Sequence, residues 1–435
     1  MHKPALGLYF KRSFLTNPLF LTMILFLFTT LVVGSYMIIC SGNPTDLKYV
    51  VVIDAGSTGS KATTYKFHIS RKTEHFTLDD KEIFEKVTPG LDTFANNPNE
   101  GAQSIEKLLE IVKEKLQLSS DVLSNTPIAL AGTGGLRSLK SEQANTLLEE
   151  ADKTLKKSGF SVKDDAVTIL SGDDEGIFSW FTTNILLDRL GTENTVAALD
   201  LGGSSTQVTF PLKEKSNDHT LADHIFTVET SSPEDKMDLF SISYSNLGRK
   251  YFGNAVFGHG NSDEATDWYS VCIHPDSKPY KIELDTTSHN VYGIPNNLST
   301  VDIAACMNLV EEKMSTLLTP KPTPLKNVTE IFAFSGFFKV INAAGLIDPE
   351  EGGQASLDVI LSTAVKECSI ANDENPILCL NLIYVYVLLH DGYELKPETR
   401  VNFHLKLKGH YISWALGFAY DQLTGIRRTK KIDNK

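Results

Sequence analysis

Cysteine is scarce in this chain: 435 residues contain five, with no CxxC pair and no histidine-rich tract beside them. That spacing argues against a zinc site. Positive charge is in deficit as well. The formal net charge is −13 at pH 7, which provides no broad basic field, so nucleic acid is not expected as a partner. No Ser–His or Cys–His pairing stands near the chain's small-residue loops, which argues against a covalent nucleophile. Hydrophobic content of 41% and charged content of 22% are those of an ordinary globular protein. The length is too great for one simple core and points to two lobes.

Residues 19–39 (LFLTMILFLFTTLVVGSYMII) carry no charge and are long enough to cross a bilayer as a helix. Lys3, Lys11 and Arg12 precede them with no acidic residue, which keeps the N-terminus cytosolic. The competing reading is a signal peptide cleaved near Cys40-Ser41-Gly42. The run exceeds a usual signal-peptide apolar region, so a retained anchor is expected. The chain beyond the anchor then faces a lumen or the outside, where Cys272, Cys306, Cys368 and Cys379 would form two disulfides. Cys272–Cys306 with Cys368–Cys379 is the simplest of the pairings open to four cysteines. Asn297-Leu298-Ser299 and Asn327-Val328-Thr329 are glycosylation sequons suited to that compartment.

One pattern occurs twice. Residues 50–67 read VVVIDAGSTGSKATTYKF and residues 196–210 read VAALDLGGSSTQVTF. Each is an apolar run ending in an aspartate, Asp54 or Asp200, followed by a Gly/Ser/Thr loop and a second β-rich run. Glycines let backbone N–H groups converge on an anion, hydroxyls add donors, and the carboxylate faces a metal ion or its water shell. Two polar hairpin turns would share this composition, but two matched copies point to a polyphosphate clamped between halves of the chain.

Strand-like and helical runs alternate from Lys48 onward, which predicts an α/β fold. Ile105, Leu108, Leu109, Val112 and Leu116 recur at helical spacing. Residues 128–131 form a short apolar strand entering Gly132-Thr133-Gly134-Gly135. Residues 166–170 form another, entering the acidic loop Ser171-Gly172-Asp173-Asp174-Glu175-Gly176 ahead of a helical stretch over 177–190. Residues 318–325 (LTPKPTPL) read as a linker or surface loop, and the basic stretch 425–435 as a solvated tail.

Five blocks in order resemble the motifs of the apyrase, or nucleoside triphosphate diphosphohydrolase, superfamily of ecto- and Golgi-type nucleoside phosphatases. They are Asp54-Ala55-Gly56-Ser57-Thr58-Gly59-Ser60, Gly132-Thr133-Gly134-Gly135-Leu136-Arg137, and Ser171 to Gly176 with Trp180 and Asn184. The others are Asp200-Leu201-Gly202-Gly203-Ser204-Ser205-Thr206-Gln207 and Phe334-Ser335-Gly336-Phe337-Phe338. Residues 87–91 (VTPGL), the four-cysteine layout and residues 412–417 (ISWALG) look most like the smaller ER and Golgi diphosphatases. Lys61 replaces an arginine usual in that branch, Gly134 an alanine, and the fifth block lacks the tyrosines typical of the Golgi enzymes, leaning towards the cell-surface ones.

The resemblance implies two ribonuclease-H-like lobes of the actin/hexokinase/Hsp70-like superfamily with a central cleft. The expected layout is a cytosolic tail at 1–18, an anchor at 19–39, a stem at 40–47, lobe I at 48–171 with 415–428 returning to it, lobe II at 172–414 and a basic tail at 429–435. It also implies Glu175 as general base, with Ser205 and Gln207 orienting the attacking water. Asp54 and Asp200 would hold Ca²⁺ or Mg²⁺ through water, with Thr133 and Trp414 near that shell. Ser57, Thr58, Gly59, Gly202, Gly203 and Ser204 would cradle phosphates, and Phe337, Phe338 and Tyr384 are candidates to stack on the nucleobase. Arg137 could pair with phosphate or with an internal carboxylate. The expected activity is hydrolysis of UDP and GDP, with triphosphates also in range, by a single-pass protein with its catalytic domain in the ER or Golgi lumen. The alternatives are a cell-surface apyrase acting on ATP and ADP, a non-hydrolytic nucleotide binder of the same fold, and a sugar kinase.

Overall fold

The protein is described here by a computed structural model covering Thr22 and residues 28–30, 45–56, 59–71, 76–212, 219–230, 235–284, 287–297, 299–426 and 428–430. Nearly all of the expected anchor, Cys40, and the loop residues Ser57 and Thr58 lie outside the described residues. Among the described residues no helix is long and apolar enough to cross a membrane. The chain falls into two compact units, Met1–Lys48 with Phe67–Leu78 and Tyr49–Lys66 with Asp79–Lys435. In the first, Arg71 pairs with Asp46 at 2.6 Å. The second carries every expected site residue.

The first sheet is built from β1 (Thr45–Gly56), β2 (Gly59–Ser70), β3 (Phe76–Leu78), β4 (Ile83–Val87), β5 (Ile128–Gly132) and β6 (Val167–Ile169). Its order is β3-β2-β1-β5-β6, with β4 also on β2, and β1, β5 and β6 run parallel. Val50 to Ile53 of β1 are fully buried, the continuous apolar run expected of a strand covered on both faces. Helices α1 (Pro98–Leu116) and α2 (Ser141–Lys157) separate the parallel strands in sequence. Ile105, Leu108, Leu109 and Val112 of α1 enter the core against Val51, Ile53 and Leu130, as their spacing predicts. Each such burial contributes roughly 1.5–3 kcal/mol.

Helix α3 (Gly172–Leu186) leads into the second sheet. Strands β7 (Ala197–Leu201), β8 (Ser205–Pro211), β9 (Ile225–Glu229) and β10 (Lys236–Ser245) are followed by α4 (Arg249–Phe257). A small sheet of β11 (Asp267–Ser270), β12 (Tyr280–Leu284) and β13 (Thr287–Gly293) precedes α5 (Ile303–Ser315). Then come β14 (Ile331–Ser335), α6 (Gly336–Ala343), β15 (Gly353–Ser356), α7 (Leu357–Cys368), α8 (Leu378–Val387), β16 (Arg400–Phe403), α9 (Trp414–Thr424) and β17 (Arg428–Lys430). The large sheet runs β15-β16-β14-β7-β8-β10-β9-β17. Its centre, β8-β7-β14-β16, repeats the order β2-β1-β5-β6 of the first sheet, with β7, β14 and β16 parallel. The duplicated motif in the sequence is thus the leading hairpin of each sheet.

Two expectations change. The acidic block at 171–176 is not a loop but the start of α3. Ser171 caps it by accepting from the Asp174 amide at 3.0 Å, and Asp173, Asp174 and Glu175 occupy the first turn, where acids are favoured by the helix dipole. The basic stretch after Gly425 is not wholly a solvated tail. Arg428–Lys430 pair with β9, and Arg428 reaches Asp174 and Asp421, both at 3.4 Å, with its guanidinium 4.3 Å from the Phe178 ring centre. The proline-rich segment 318–325 is a loop that runs into a short 3₁₀ helix, Thr323–Asn327, and is pinned by buried Leu318 and Leu325.

Both disulfides form as the simplest pairing had them, Cys272–Cys306 and Cys368–Cys379. All four sulfurs belong to the core of the second sheet, while Glu175 and Asp54 come from outside the cysteine-bearing segment. Replacing Cys272 and Cys306 together by serine is expected to cost about 2–4 kcal/mol of unfolding free energy with kcat/KM changed less than about threefold. Urea denaturation read beside a steady-state assay checks both parts.

Candidate active site

Asp54 and Asp200 occupy the C-terminal ends of β1 and β7, equivalent central strands. Asp54 faces Lys61 on the returning strand, Nζ to Oδ2 at 3.1 Å. Asp200 is buried, and its Oδ1 has no hydrogen-bond partner. Burial pushes its carboxyl up to about 6, a hydrogen bond from Ser335 opposes the shift, and the charge of Asp54 adds to it. An orphaned buried carboxylate oxygen near a second carboxylate is costly unless a cation serves both. Among the described residues no three His, Cys, Asp or Glu side chains form a direct metal cage. A few hard oxygen donors fit a cation that keeps much of its water. Thr133 directly follows β5, whose register sets Asp54 opposite Ala131 and Ala55 opposite Gly132.

Glu175 is buried in the first turn of α3. Its Oε2 accepts from Arg137 Nη2 at 2.8 Å, while Arg137 Nη1 donates to the Leu170 carbonyl at 2.9 Å. Arg137 thus takes the internal-carboxylate role of its two readings. Burial drives the Glu175 carboxyl up to about 7; Arg137 pulls it down, and Asp200 and Asp54 push it up. Gln207 lies opposite Asp200 in the β7–β8 register and opposite Ser243 in the β8–β10 register. Its Nε2 donates to Ser205 Oγ and to Ser243 Oγ, each at 2.9 Å. Both amide protons are then engaged, which leaves the amide oxygen as the acceptor for a further donor. A Cβ on Gly176 would stand 2.6 Å from Thr209 Oγ1 and 2.9 Å from Ser241 Oγ, so only glycine lets α3 lie this close to β8 and β10.

The loop residues Gly202, Gly203 and Ser204 after β7 are held from behind. Their carbonyls accept from the amides of Arg249, of Lys250 and Tyr251, and of Asn246, at 2.8–3.0 Å. Gly248 makes this possible, since a Cβ there would lie 2.2 Å from the Ser204 nitrogen. The second block meets the fourth at Gly134, whose Cβ position is 2.3 Å from Ser204 Oγ. Gly59, with φ +148, ends its own loop against Lys86 and Val87.

The aromatic candidates stand elsewhere. Phe337, Phe338 and Tyr384 are no more than 4% exposed and present no open ring face to a nucleobase. Phe337 packs in the core, and Tyr384 stacks on Phe252 at 4.6 Å and donates its hydroxyl to the Leu247 carbonyl. Trp414 is also a core residue, packed edge-on against Phe418. Sequence reading missed Ser243, Gly248, Arg249 and Lys339. Ser243 belongs to an ordinary alternating strand, and nothing local marks it. By contrast, the Ser171-x-x-Asp174 capping pattern that places Glu175 on a helix was present to be read.

The chain matches the model of the GDA1/CD39 (nucleoside phosphatase) family over residues 41–323 and 354–435. It is 32% identical to the ectonucleoside triphosphate diphosphohydrolase 5 of Bos taurus, over 87% of this chain and 88% of that protein. It is 30% identical to the nucleoside-diphosphatase uda-1 of Caenorhabditis elegans, over 86% of this chain and 81% of that one. Among solved structures, a nucleoside triphosphate hydrolase from Neospora caninum superposes with a TM-score of 0.65 at 14% identity, covering 90% of this chain and 96% of that chain.

With Glu175 as general base, as the resemblance implies, a pKa near 7 requires it to lose its proton before it works, so turnover is expected to fall as pH drops through about 7. Arg137 lowers the Glu175 pKa, so Arg137→Gln should move the acid limb of the kcat profile to higher pH. Stopped assays across pH 5–9 at fixed ionic strength read the limb; an unmoved or downward-shifted limb contradicts the pairing.

Proposed function

The chain belongs to the GDA1/CD39 nucleoside phosphatase family, and within it we propose a divalent-cation-dependent enzyme that removes the terminal phosphate of nucleoside diphosphates, UDP and GDP foremost. The observation that carries this reading is Glu175, buried and pushed up to about 7, in the same polar group as Gln207 and Asp200. A nucleotide binder needs a phosphate cradle but has no use for a poised base beside an engaged amide.

Water bound by Glu175 and the Gln207 amide oxygen attacks the terminal phosphorus. The bond from that phosphorus to the bridging oxygen breaks, the nucleoside phosphate departs on that oxygen, and Glu175 takes the water's proton. The Gly202–Ser204 loop and its partner at 57–59 cradle the phosphates. Asp54 and Asp200, with Thr133, would hold hydrated Ca²⁺ or Mg²⁺, which offsets charge on the phosphate oxygens. We read the two sheets as ribonuclease-H-like lobes, 48–171 and 172–414, of the actin/hexokinase/Hsp70-like superfamily; the repeated strand order supports this.

Diphosphate preference and a lumenal site are supported together. The Caenorhabditis relative is named a nucleoside-diphosphatase. The two disulfides and the exposed Asn297 and Asn327 suit an oxidising, glycosylating compartment, and the uncharged run at 19–39 suits a single anchor. The leaning towards a cell-surface apyrase rested on the fifth block's aromatics, and these are core residues.

Phosphate release from UDP, GDP, ADP and ATP, each with Mg²⁺, Ca²⁺ or EDTA, tests the reading. The expected outcome is a kcat/KM for UDP well above that for ATP and no turnover in EDTA; a ratio below one transfers the assignment to a surface-type apyrase. Glu175→Gln should lower kcat by about 10²–10⁴-fold while nucleotide binding persists, and a variant keeping half the wild-type kcat refutes the base.

A further inference from the structure

Cations from four elements act on one another beside the site. Arg249 is the first residue of α4, and its amide donates to Gly202 O at 3.0 Å. Lys339 lies in the opening turns of α6, four residues beyond Ser335, which pairs with Leu201 next to Asp200. Lys61 bonds Asp54, and Lys86 lies against Gly59, its ε-carbon 2.5 Å from the Cβ position there. Burial pushes the Lys339 ammonium below its ordinary value, and Arg249, Lys61 and Lys86 push the same way against Asp200. Among the described residues, no carboxylate pairs with Arg249, Lys86 or Lys339. Neither α4 nor α6 has an acidic residue in its first turn, although a helix start favours anions and disfavours cations. Like charges held together at two helix starts, in a chain of net charge −13, are an arrangement that an anion would relieve.

The sheet order fixes which part of the substrate Lys339 serves. In the order β14-β7-β8-β10, Asp200 ends β7. Glu175 lies on the β8–β10 side, where α3 presses Gly172 on Ser243 and Gly176 on Thr209. Lys339 lies on the β14 side, since α6 continues directly from that strand. Glu175 and Lys339 are therefore on opposite flanks of Asp200, and Arg249 acts on Lys339 from its place beside the Gly202 carbonyl. In-line displacement puts the leaving group opposite the nucleophile.

We propose that Lys339 and Arg249 form the leaving-group subsite, binding the phosphate that stays on the nucleoside. This rests on the nucleoside phosphatase reading of the site. The two cations draw diphosphates into an acidic protein and hold the product monophosphate until it departs.

Lys339→Met, Arg249→Met and Lys339→Arg separate the possibilities. For both methionine variants KM for UDP should rise about ten- to hundredfold, the range of one lost charge-assisted hydrogen bond, with kcat changed far less. Titration calorimetry should show UMP binding weakened by a similar factor and inorganic phosphate binding within about twofold of wild type. Lys339→Arg should restore most of the UMP affinity, which a purely structural role would not require. If inorganic phosphate weakens as much as UMP, the cations serve the terminal phosphate and the assignment is overturned. Unchanged UMP binding in both methionine variants overturns it as well. A wild-type protein that releases no phosphate from any nucleotide would defeat the hydrolase reading instead, and the UMP titration would still decide the subsite.

Discussion

Two buried carboxylates, Asp200 and Glu175, act beside the half-buried Asp54, and the rest of the site is arranged around that cost. Burial raises both Asp200 and Glu175, and the charge of Asp54 adds to each shift. Burial of like charges is unfavourable unless protons, hydrogen bonds or cations compensate. Here the compensation is divided. Arg137 serves Glu175, Lys61 serves Asp54 and Ser335 serves Asp200, yet Asp200 Oδ1 stays without a partner. That uncompensated oxygen would suit a cation, and burial, first of all its causes, brings Glu175 near neutrality. The proposed metal and the proposed base thus rest on the same burial.

Close backbone approach converts this electrostatics into geometry. Gly176 brings the helix bearing Glu175 onto the strand bearing Gln207, and Gly248 brings the start of α4 onto the loop after Asp200. With the carbonyls of Gly202, Gly203 and Ser204 already occupied, the loop's conformation is set before any substrate arrives, which spares reorganisation during reaction. Each of these contacts joins a segment that comes after one strand to a neighbouring strand or loop, so the site is a property of strand order more than of any single motif.

That division also explains what was legible in the sequence. The α/β class, the amphipathic face of α1 and the duplicated strand–loop–strand unit follow from local periodicity and composition, while the disulfide pairing is the simplest of the three that four cysteines allow. The placement of Asp54 and Asp200 at strand ends did too, because an apolar run ending in Asp and Gly is a local signal. Ser243, Gly248, Arg249 and Lys339 were not legible, since each acts across a sheet or from a helix start many residues away. The aromatic candidates failed for a related reason: Phe337 and Phe338 lie just past the strand end in sequence, but the 3.6-residue period of α6 turns them into the core and leaves Lys339 on the outer face. Arg428 shows the reverse case, where a basic run reads as solvated until β9 supplies an edge for it to pair with.

The buried aromatics still support the loops around Asp200, from beneath. Tyr384 stacks on Phe252 of α4 and holds the carbonyl of Leu247, the residue just before Gly248. Tyr393 bonds Thr206, whose hydroxyl donates to the Asp200 carbonyl at 2.6 Å. These rings brace the phosphate loop and the aspartate strand end. Around Asp200 the described residues engage charge through carboxylates, backbone amides and cations.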